Sequence, residues 1–296
     1  MRILLTGATG QVGRAIACHL SQAGHDVTGV SRHAPATSAV RHIEAALGTP
    51  DFVERVRTLL PLCDVVIHAA ASLSHGLFDP EISRVNCLGT QQVLELSRCL
   101  EARHLIYISS VPVIGRPRVL PITEDHPLEP LTAYHSSKLF GEHLFRLAAT
   151  DQCRSVSLRL TSPAGTGTPA NRILGVFVRR ALANQPLQLL GRGTRAQNYV
   201  DVRDVARAAA GCIETEASGV YNIAGADAIS NVDLARQCIR QLSSASAVEF
   251  LEKADPEEGT VWDVSIAKAR SHLRFEPRYT ISQSIEAIAD ECHHTQ

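Results

Sequence analysis

Tyr134 and Lys138 lie four positions apart in the segment Tyr-His-Ser-Ser-Lys, at the start of a stretch with helical apolar periodicity. At about 100° per residue, a helix brings two such side chains to one face, one turn apart. Ser110 follows the apolar run 104–109, at the carboxyl end of a predicted strand, where open α/β sheets place their ligand crevice. The three residues predict acid/base chemistry, in which Tyr134 exchanges a proton with a hydroxyl or carbonyl oxygen and Ser110 orients that oxygen.

Lys138 is expected to tune the phenol. A free tyrosine titrates at about pH 10, and a nearby ammonium group favours the phenolate form, which brings the pKa closer to neutral pH. Proton transfer is most efficient when the pKa of the acid or base lies near the working pH. The competing interpretation is that Tyr134 is a core residue and Lys138 a surface residue, without a shared chemical role.

Gly7, Gly10 and Gly13 lie between the apolar run 3–5 and a predicted helix over 11–23. In a strand–turn–helix context, the first glycine permits a tight turn, the second lets the backbone approach a pyrophosphate, and the third lets the helix pack close to the strand. The helix N-terminus adds free N–H groups and a positive dipole. The turn therefore predicts a dinucleotide site formed by Gly7, Thr9, Gly10, Gln11, Val12 and Gly13.

The end of the second predicted strand, 26–31, indicates which dinucleotide is bound. An acidic residue at this point would hold the 2′-hydroxyl of NAD, but the chain has Ser31 and Arg32, and Asp26 lies at the opposite end of the strand. An arginine suits a 2′-phosphate, so NADP is the preferred cofactor and NAD the other candidate. Arg32 could instead be a solvated loop charge.

Short apolar runs alternate with amphipathic stretches through the first half of the chain, and the runs are too uniformly apolar to face water. We expect an α/β fold, a Rossmann-like doubly wound parallel sheet with a small interwoven α+β substrate-binding lobe. The NAD(P)-binding domain would comprise 1–161 and about 199–229. The substrate-binding lobe would comprise about 162–198 and 230–296. A strand at 220–224 would return to the sheet edge, and Ser230 would cap a helix over 230–242.

Composition favours a globular protein that acts on small molecules. Of the 296 residues, 45% are hydrophobic and 20% charged, and the formal net charge of −1 is spread without like-charge blocks. Neither nucleic acid nor a membrane is an expected partner. The eight cysteines show no metal-ligand spacing, and a signal-peptide core is absent, so we expect free thiols, no metal and a cytoplasmic protein. His68, His75 and His135 are interpreted as packing or surface residues.

Several motifs occur in a fixed order: Thr-Gly-Ala-Thr-Gly-Gln-Val-Gly (6–13), His-Ala-Ala-Ala (68–71), 85–95, 107–115, 134–138, 198–208 and 263–277. Together they resemble the extended short-chain dehydrogenase/reductases, the NAD(P)-dependent epimerase/dehydratase superfamily, from residue 1 to about residue 290. The resemblance implies that Ser110, Tyr134 and Lys138 are the catalytic set and that Lys138 also contacts the nicotinamide ribose.

The resemblance also implies roles for residues that spacing alone does not single out. Ala69, Ala70 and Ala71 would line the ribose–phosphate path of the cofactor, and Asn86 would begin a helix behind the site. Members are commonly homodimers through a four-helix bundle, here formed by the helices predicted at 86–100 and 135–149. The candidate substrate-binding residues are Ser72, Ser110, Ser162, Arg172 and Arg195. The arginines could clamp a phosphate or carboxylate, although each alone is more often a solvated charge.

The chain also departs from the family pattern. The acidic residue that usually approaches the adenine is absent at 46–48, and the stretch 159–166 lacks the Asn and Tyr found in members that act on nucleotide sugars. Gln197 replaces the usual arginine. Val111 and Pro112 follow Ser110 where sugar 4,6-dehydratases have an Asp-Glu pair, which disfavours dehydration. Asp201 and Asp204 are expected to be a helix cap and a structural acceptor.

The predicted function is therefore NAD(P)-dependent transfer of a hydride at a secondary alcohol or ketone carbon, on a sugar that is either free or nucleotide-linked. An epimerase would return the hydride to the other face of the carbon, whereas a reductase would consume NADPH. Two alternatives stay open. One is an NADPH-dependent ketoreductase of a non-sugar small molecule, and the other is a catalytically silent dinucleotide-binding sensor.

Overall fold

The computed structural model describes residues 1–34, 40–73, 76–77 and 79–294, so His75 lies outside the described residues. A seven-stranded parallel sheet has the spatial order β10-β6-β5-β4-β1-β2-β3. Its strands are β1 (Arg2–Thr6), β2 (Asp26–Ser31), β3 (Arg41–Glu44), β4 (Val65–His68), β5 (His104–Ser110), β6 (Arg154–Leu160) and β10 (Gly219–Ile223). Strands β1 to β6 follow the doubly wound order 3-2-1-4-5-6, which confirms the predicted fold class.

The apolar strands serve two cores at once, because successive side chains point to opposite faces of a sheet. Ile3 and Leu5 pack into one buried cluster with Ile16 of the first helix, while Leu4 packs into the other with Phe52. A strand that is buried on both faces needs a continuous apolar run, and this is why those runs predicted a covered parallel sheet.

Nine α-helices are described. They are α1 (Gln11–Gln22), α2 (Phe52–Leu59), α3 (Gly89–Cys99), α4 (Ala133–Ala148), α5 (Ile173–Leu182), α6 (Val202–Glu214), α7 (Asn231–Gln241), α8 (Ala267–Leu273) and α9 (Ile281–His294). Helices α1, α6 and α8 cover one face of the sheet, and α2, α3 and α4 cover the other. Three helices begin at a capping residue. The side-chain oxygens of Thr132, Asp201 and Ser230 each accept a hydrogen bond from a backbone N–H group in the first turn of α4, α6 and α7, respectively.

A second body of structure lies beyond the carboxyl edge of the large sheet. It contains β7 (Ser162–Ala164), β8 (Leu187–Leu189), β9 (Ala196–Asp201), β11 (Ala228–Ser230) and β12 (Val248–Phe250). Strands β11, β9 and β7 form one small sheet, and β12 pairs with β8. Helices α5, α7 and α9 enclose a third apolar cluster with these strands.

The expected strand at 220–224 is β10, at the sheet edge beside β6, and Ser230 caps α7 as expected. One expectation about a helix start is wrong. Asn86 lies inside a π-helix, Ile82–Leu88, that runs directly into α3, so the helical segment begins before Asn86. The side chain of Asn86 therefore does not cap a helix but bonds to Ser72 and Ser137 in neighbouring segments.

Candidate active site

One cleft of about 1190 Å³ lies over the carboxyl ends of the parallel strands. The glycine turn and the three predicted catalytic residues all line it. Of the sequence-predicted site residues, the following line this cleft: Gly7, Thr9, Gly10, Gln11, Val12, Gly13, Ser31, Arg32, Ala69, Ala70, Ala71, Ser72, Ser110, Tyr134, Lys138, Ser162, Arg172 and Arg195. Asn86 is the one that does not, because it is buried behind the cleft wall.

The glycine turn is closed by backbone contacts that leave no room for side chains. Gly7 has a φ of +73°, and a Cβ there would lie 2.6 Å from Ala70 N. A Cβ on Gly13 would lie 2.0 Å from Gly7 O, so α1 can approach β1 only with glycine at this position. Gly10 lines the cleft. A Cβ added to Gly10 would have one neighbouring atom within 4 Å, Gly7 O at 3.3 Å. The turn therefore offers bare backbone at the helix N-terminus, which fits a dinucleotide pyrophosphate.

At the end of β2, Ser31 and Arg32 reach the cleft beside the turn. The hydroxyl of Ser31 donates to His33 O at 2.9 Å and lies 3.2 Å from His42 Nε2, which fixes the strand end. Burial lowers the pKa of His42, so this imidazole is neutral at pH 7. The side chain of Arg32 is exposed and is the charged group nearest this strand end in sequence.

Helix α4 presents the other two candidate catalytic groups. The hydroxyl of Thr132 accepts from His135 N at 3.1 Å, which starts the helix so that Tyr134 falls in its first turn. Lys138 follows one turn later and is 3% exposed. Its ammonium donates to Ile108 O at 2.8 Å and lies 5.8 Å from the centre of the Tyr134 ring. The expected convergence on one helix face is therefore present in the structure.

The electrostatics of this pair differ from the sequence expectation. Burial raises the pKa of Tyr134 to about 12, the direction opposite to the one expected from Lys138, and the charge on Arg172 offsets part of that rise. Burial also lowers the pKa of Lys138 to about 8, against the opposing effect of the Glu142 carboxylate. At pH 7 the phenol is neutral and the amine still mostly protonated, so Tyr134 can donate a proton as it stands.

A buried ion pair that the sequence analysis missed lies behind α4. Arg159 donates to both oxygens of Glu142, at 2.9 and 2.8 Å, and the two side chains are 3% and 5% exposed. Ser109 donates to the same carboxylate at 2.5 Å. Since Glu142 is four residues after Lys138, helical spacing could have placed it on the lysine's face, but no local signal pairs it with Arg159. The contacts tie α4 to β5 and β6 at the candidate catalytic residues.

His68, at the end of β4, joins a buried chain of hydrogen bonds. Thr90 Oγ1 donates to Asn86 O at 2.6 Å, so it accepts from His68 Nε2 at 3.0 Å, and His68 Nδ1 then accepts from Thr6 at 2.7 Å. Burial lowers the pKa of His68 to about 3, which keeps the ring neutral. This confirms the interpretation of His68 as a satisfied packing residue. This series of hydrogen bonds connects the ends of β1 and β4 to the first turn of α3.

Asn86 positions two segments of the cleft without lining it. Its Oδ1 accepts from Ser72 N at 2.7 Å, and its Nδ2 donates to Ser72 O at 3.0 Å and to Ser137 Oγ at 2.9 Å. Ser137 in turn donates to Tyr134 O at 2.7 Å. The amide therefore connects the loop after β4 to the first turn of α4.

The substrate-side residues come from separate segments. Ser162 begins β7, and its hydroxyl lies 3.4 Å from Gln197 Oε1 of β9. Arg172 precedes α5. Its side chain is exposed and forms no hydrogen bond or ion pair with the described residues. Arg195 forms an ion pair with Glu257 at 2.7 Å, so its charge is already offset.

Asp201 and Asp204 have the structural roles expected of them. Asp201 caps α6 and accepts from Ser284 at 2.6 Å, and Asp204 accepts from the backbone of Arg278 and Tyr279. Among the described residues, no group of three or more His, Cys, Asp or Glu could hold a metal ion. In the same part of the chain, no helix has the length and apolar character needed to cross a membrane.

The sheet order, the glycine turn and the cleft define a nicotinamide-dinucleotide enzyme of the extended short-chain dehydrogenase/reductase class. Residues 3–224 match the model of the NAD dependent epimerase/dehydratase family, and the chain belongs to that family. It is 25% identical over 324 aligned positions to the UDP-glucose 4-epimerase of Corynebacterium glutamicum, covering 99% of this chain and 98% of that protein.

Two further comparisons bear on the site. The crystal structure of UDP-glucuronic acid 4-epimerase from Bacillus cereus in complex with NAD has a TM-score of 0.86 and 26% identity, covering 100% of this chain and 99% of that chain. Over 150 residues the chain is 34% identical to the 4-hydroxy-2-methyl-3-oxo-4-farnesyl-3,4-dihydroquinoline-1-oxide ketoreductase of Stigmatella aurantiaca, which covers 49% of this chain and 45% of that protein.

Proposed function

We propose that the protein transfers a hydride between NAD(P) and a secondary alcohol or ketone carbon of a sugar-like substrate. The observation that carries this proposal is that Ser110, Tyr134 and Lys138 line the same cleft as the glycine turn. Gly7, Gly10 and Ala69–Ala71 would hold the dinucleotide, which supplies the hydride acceptor or donor when bound. The full-length relatives named above are 4-epimerases of nucleotide sugars, which favours epimerisation.

The protein side chains would handle the proton. In ketone reduction, Tyr134 donates its proton to the substrate oxygen, because its raised pKa keeps the phenol protonated at pH 7. Ser110, at the end of β5, orients that oxygen by a hydrogen bond. In the reverse reaction, oxidation of the alcohol, Tyr134 must first lose its proton. This requires a positive charge close to the phenol in addition to that of Lys138. The pyridinium of an oxidised nicotinamide would provide that charge.

A reductase is the second candidate, and two observations favour it. The identity to the Stigmatella ketoreductase, although it spans only half of the chain, is higher than that to the full-length epimerases named above. Arg32 at the end of β2 also suits NADPH, the usual reductant of such enzymes. Dehydration stays disfavoured, since Val111 and Pro112 follow Ser110 and offer no acid/base group.

The preference for NADP rests on Arg32, whose exposed guanidinium can pair with a 2′-phosphate. Arg32→Asp should reverse the ratio of NADP to NAD affinities, measured by fluorescence titration of the reduced cofactors. An unchanged ratio would identify Arg32 as a solvated charge and leave NAD, the cofactor of the Bacillus cereus structure, as the better assignment.

We further propose a homodimer in the cytoplasm. Phe140 and Leu147 of α4 are 36% and 70% accessible, and Leu88, the last residue of the π-helix that runs into α3, is 44% accessible. These apolar groups suit a four-helix interface between two copies of α3 and α4. Sedimentation equilibrium of the wild type and of Leu147→Glu should give a dimer and a monomer, respectively. The eight free thiols suit a reducing compartment.

Turnover assays separate the two catalytic candidates. The protein is mixed with NADPH and a 4-keto sugar, and the absorbance of the reduced nicotinamide is followed. Loss of one NADPH per substrate identifies a reductase. In a second reaction the protein is mixed with the corresponding 4-hydroxy sugar and the oxidised cofactor, and inversion at C4 without net formation of reduced nicotinamide identifies an epimerase. Tyr134→Phe should abolish either reaction and leave cofactor affinity nearly intact. An unchanged rate in this variant would refute the assignment of Tyr134.

A further inference from the structure

One end of the cleft lies over β2 and β3, away from the candidate catalytic residues. Ser31 and Arg32 line it at the end of β2, and Ala45 and Leu47 line it just after β3. Within the sheet, β2 and β3 lie on one side of β1, whereas β4 and β5 lie on the other side. A dinucleotide whose pyrophosphate binds the glycine turn after β1, with its nicotinamide beside β5, must therefore place its second nucleoside at this β2–β3 end.

The β2–β3 end of the cleft has apolar walls. Ala45 and Leu47 are buried members of one apolar cluster, and Val85, from the π-helix Ile82–Leu88, packs against the same cluster. Val85 also lines the cleft. Apolar walls with a few fixed polar groups are typical of small-molecule sites, and they suit the flat faces of a purine base.

Glu81 supplies the fixed polar group. Among the described residues that line the cleft, it is the one with a carboxylate. Arg84 Nε and Nη2 donate to its two oxygens at 2.8 and 2.7 Å, and Arg84 Nη1 donates to Leu47 O at 3.0 Å. The arginine therefore holds the carboxylate beside the segment that follows β3. Each carboxylate oxygen keeps a further lone pair that can accept from a ligand.

The charge state of Glu81 indicates what it can bind. The hydrogen bond from Arg84 lowers the pKa of the Glu81 carboxyl below its usual value, and the charges on Arg84 and Arg32 lower it further, so the group is ionised at pH 7. An ionised carboxylate only accepts hydrogen bonds, so it suits a base that presents an N–H group. Adenine has an amino group at C6, whereas a 6-oxopurine has a carbonyl oxygen there.

The bonds of Arg84 favour the base over the ribose as the partner of Glu81. The ribose is expected at the end of β2, beside Arg32, and the base farther along, beside Leu47. Since Arg84 joins Glu81 directly to Leu47 O, the carboxylate lies at the β3 side of this end of the cleft. The loop after β3 is packed closely against the same arginine, because a Cβ on Gly48 would lie 2.5 Å from Arg84 Cγ.

We propose that Glu81, held in place by Arg84, accepts a hydrogen bond from the amino group of the cofactor's adenine and makes the cleft select adenine over a 6-oxopurine. This inference rests on the proposed function, because it takes NAD(P) as the cofactor. It assigns the recognition of the adenine, for which the segment 46–48 contains no acidic residue. With a 6-oxopurine, a carbonyl oxygen would face the carboxylate without a proton between them.

Binding of hypoxanthine dinucleotides tests the proposal without turnover. The hypoxanthine analogues of NADPH and NADH differ from the natural cofactors only in the purine, where a carbonyl replaces the amino group. Fluorescence titration of the full chain with the four reduced compounds gives the ratio of adenine to hypoxanthine affinity. In the wild type the adenine compound should bind roughly tenfold more tightly, the effect of one hydrogen bond to a charged group.

Glu81→Gln should remove this selectivity. Its amide can accept from the amino group of adenine or donate to the carbonyl of hypoxanthine, so the ratio should fall to about one. The hypoxanthine compound should bind more tightly than it does to the wild type, a gain that misfolding cannot imitate. Glu54→Gln is the matched control, because Arg57 donates to Glu54 at 2.6 Å with the same sequence spacing, outside the cleft. It should keep the wild-type ratio.

The outcomes separate the adenine contact from the proposed reaction. A ratio near one in the wild type would overturn the role of Glu81, as would a ratio that is equal in the wild type and Glu81→Gln or that changes equally in Glu81→Gln and Glu54→Gln. These results would leave the proposed function standing, because the natural cofactors would still bind. Failure of all four compounds to bind the wild type would instead refute the proposed function, and the adenine contact with it.

Discussion

The two halves of the cleft are built in different ways. On the cofactor side, the contacting residues come from short contiguous segments, 6–13 and 69–72, whose backbones touch so closely that glycine is required. On the substrate side, Ser162, Arg172 and Arg195 come from separate turns and small strands joined by few pairs. Where backbone contact dictates the residue type, a local pattern identifies the site. Where side chains from distant segments meet, the pattern identifies little, and specificity can change without harm to the fold.

The largest expected effect concerns the buried pair behind α4. Glu142→Gln leaves the Arg159 guanidinium without a counter-charge in a buried position, so the free energy of unfolding should fall by about 3–5 kcal/mol. Urea denaturation measures this. Glu54→Gln, in the exposed pair with Arg57, is the control and should change stability by less than about 1 kcal/mol. Equal losses in the two variants would show that the cofactor half is no more tightly held than the surface.

The glycine turn comes next. A Cβ on Gly13 would lie 2.0 Å from a backbone oxygen, which cannot move aside as a side chain could, so Gly13→Ala should cost about 1–3 kcal/mol of stability and weaken cofactor binding. Gly10→Ala, whose Cβ would lie 3.3 Å from the same oxygen, should lose less stability and still lose cofactor affinity. If Gly13→Ala binds NADP as the wild type does, α1 does not need its close approach to β1.

His68 makes the stability of the cofactor half depend on pH. Its folded pKa of about 3 lies below the unfolded value of about 6.5, so the unfolded chain binds the extra proton between these values. The contribution of the neutral ring to the free energy of unfolding is complete above pH 6.5. It decreases by roughly 1.4 kcal/mol for each pH unit below that value. Denaturation of His68→Gln between pH 4.5 and 7 should show a shallower slope, whereas His143→Gln, at an exposed position, should keep the wild-type slope. Parallel slopes in all three proteins would contradict the account.

The smallest effect on folding is expected on the substrate side. Arg172→Gln removes an exposed group without a hydrogen-bond partner in the described residues, so stability should change by less than about 0.5 kcal/mol. Its effect should appear in the pH profile of turnover instead, because Arg172 lowers the pKa of Tyr134. The alkaline limb should move to higher pH, with Arg236→Gln as the control. A large loss of stability would show that the two halves are not built differently.

The sequence predicted most of the sheet and the meeting of Ser110, Tyr134 and Lys138 in one cleft, for reasons visible in single elements. Apolar runs such as 104–109 must be strands buried on both faces, and Tyr134 and Lys138 share a face by helical spacing alone. Strand β3 could not be predicted in this way, because only one side chain of Arg41–Glu44 is buried and the segment contains no apolar run. The pairing of β7 with β9 and of Glu142 with Arg159 depends on tertiary contact between segments distant in the chain, for which a single sequence holds no local signal.

The central claim is that Tyr134 faces the nicotinamide in the shared cleft, and titration of its phenol tests this most directly. Ultraviolet difference spectra are recorded against Tyr134→Phe, with and without NADP⁺. The pKa of Tyr134 should be about 12 without the oxidised cofactor and fall by about 2 units or more when the pyridinium charge binds beside it. A phenol whose pKa stays near 12 when NADP⁺ is bound would show that the cofactor and Tyr134 do not meet.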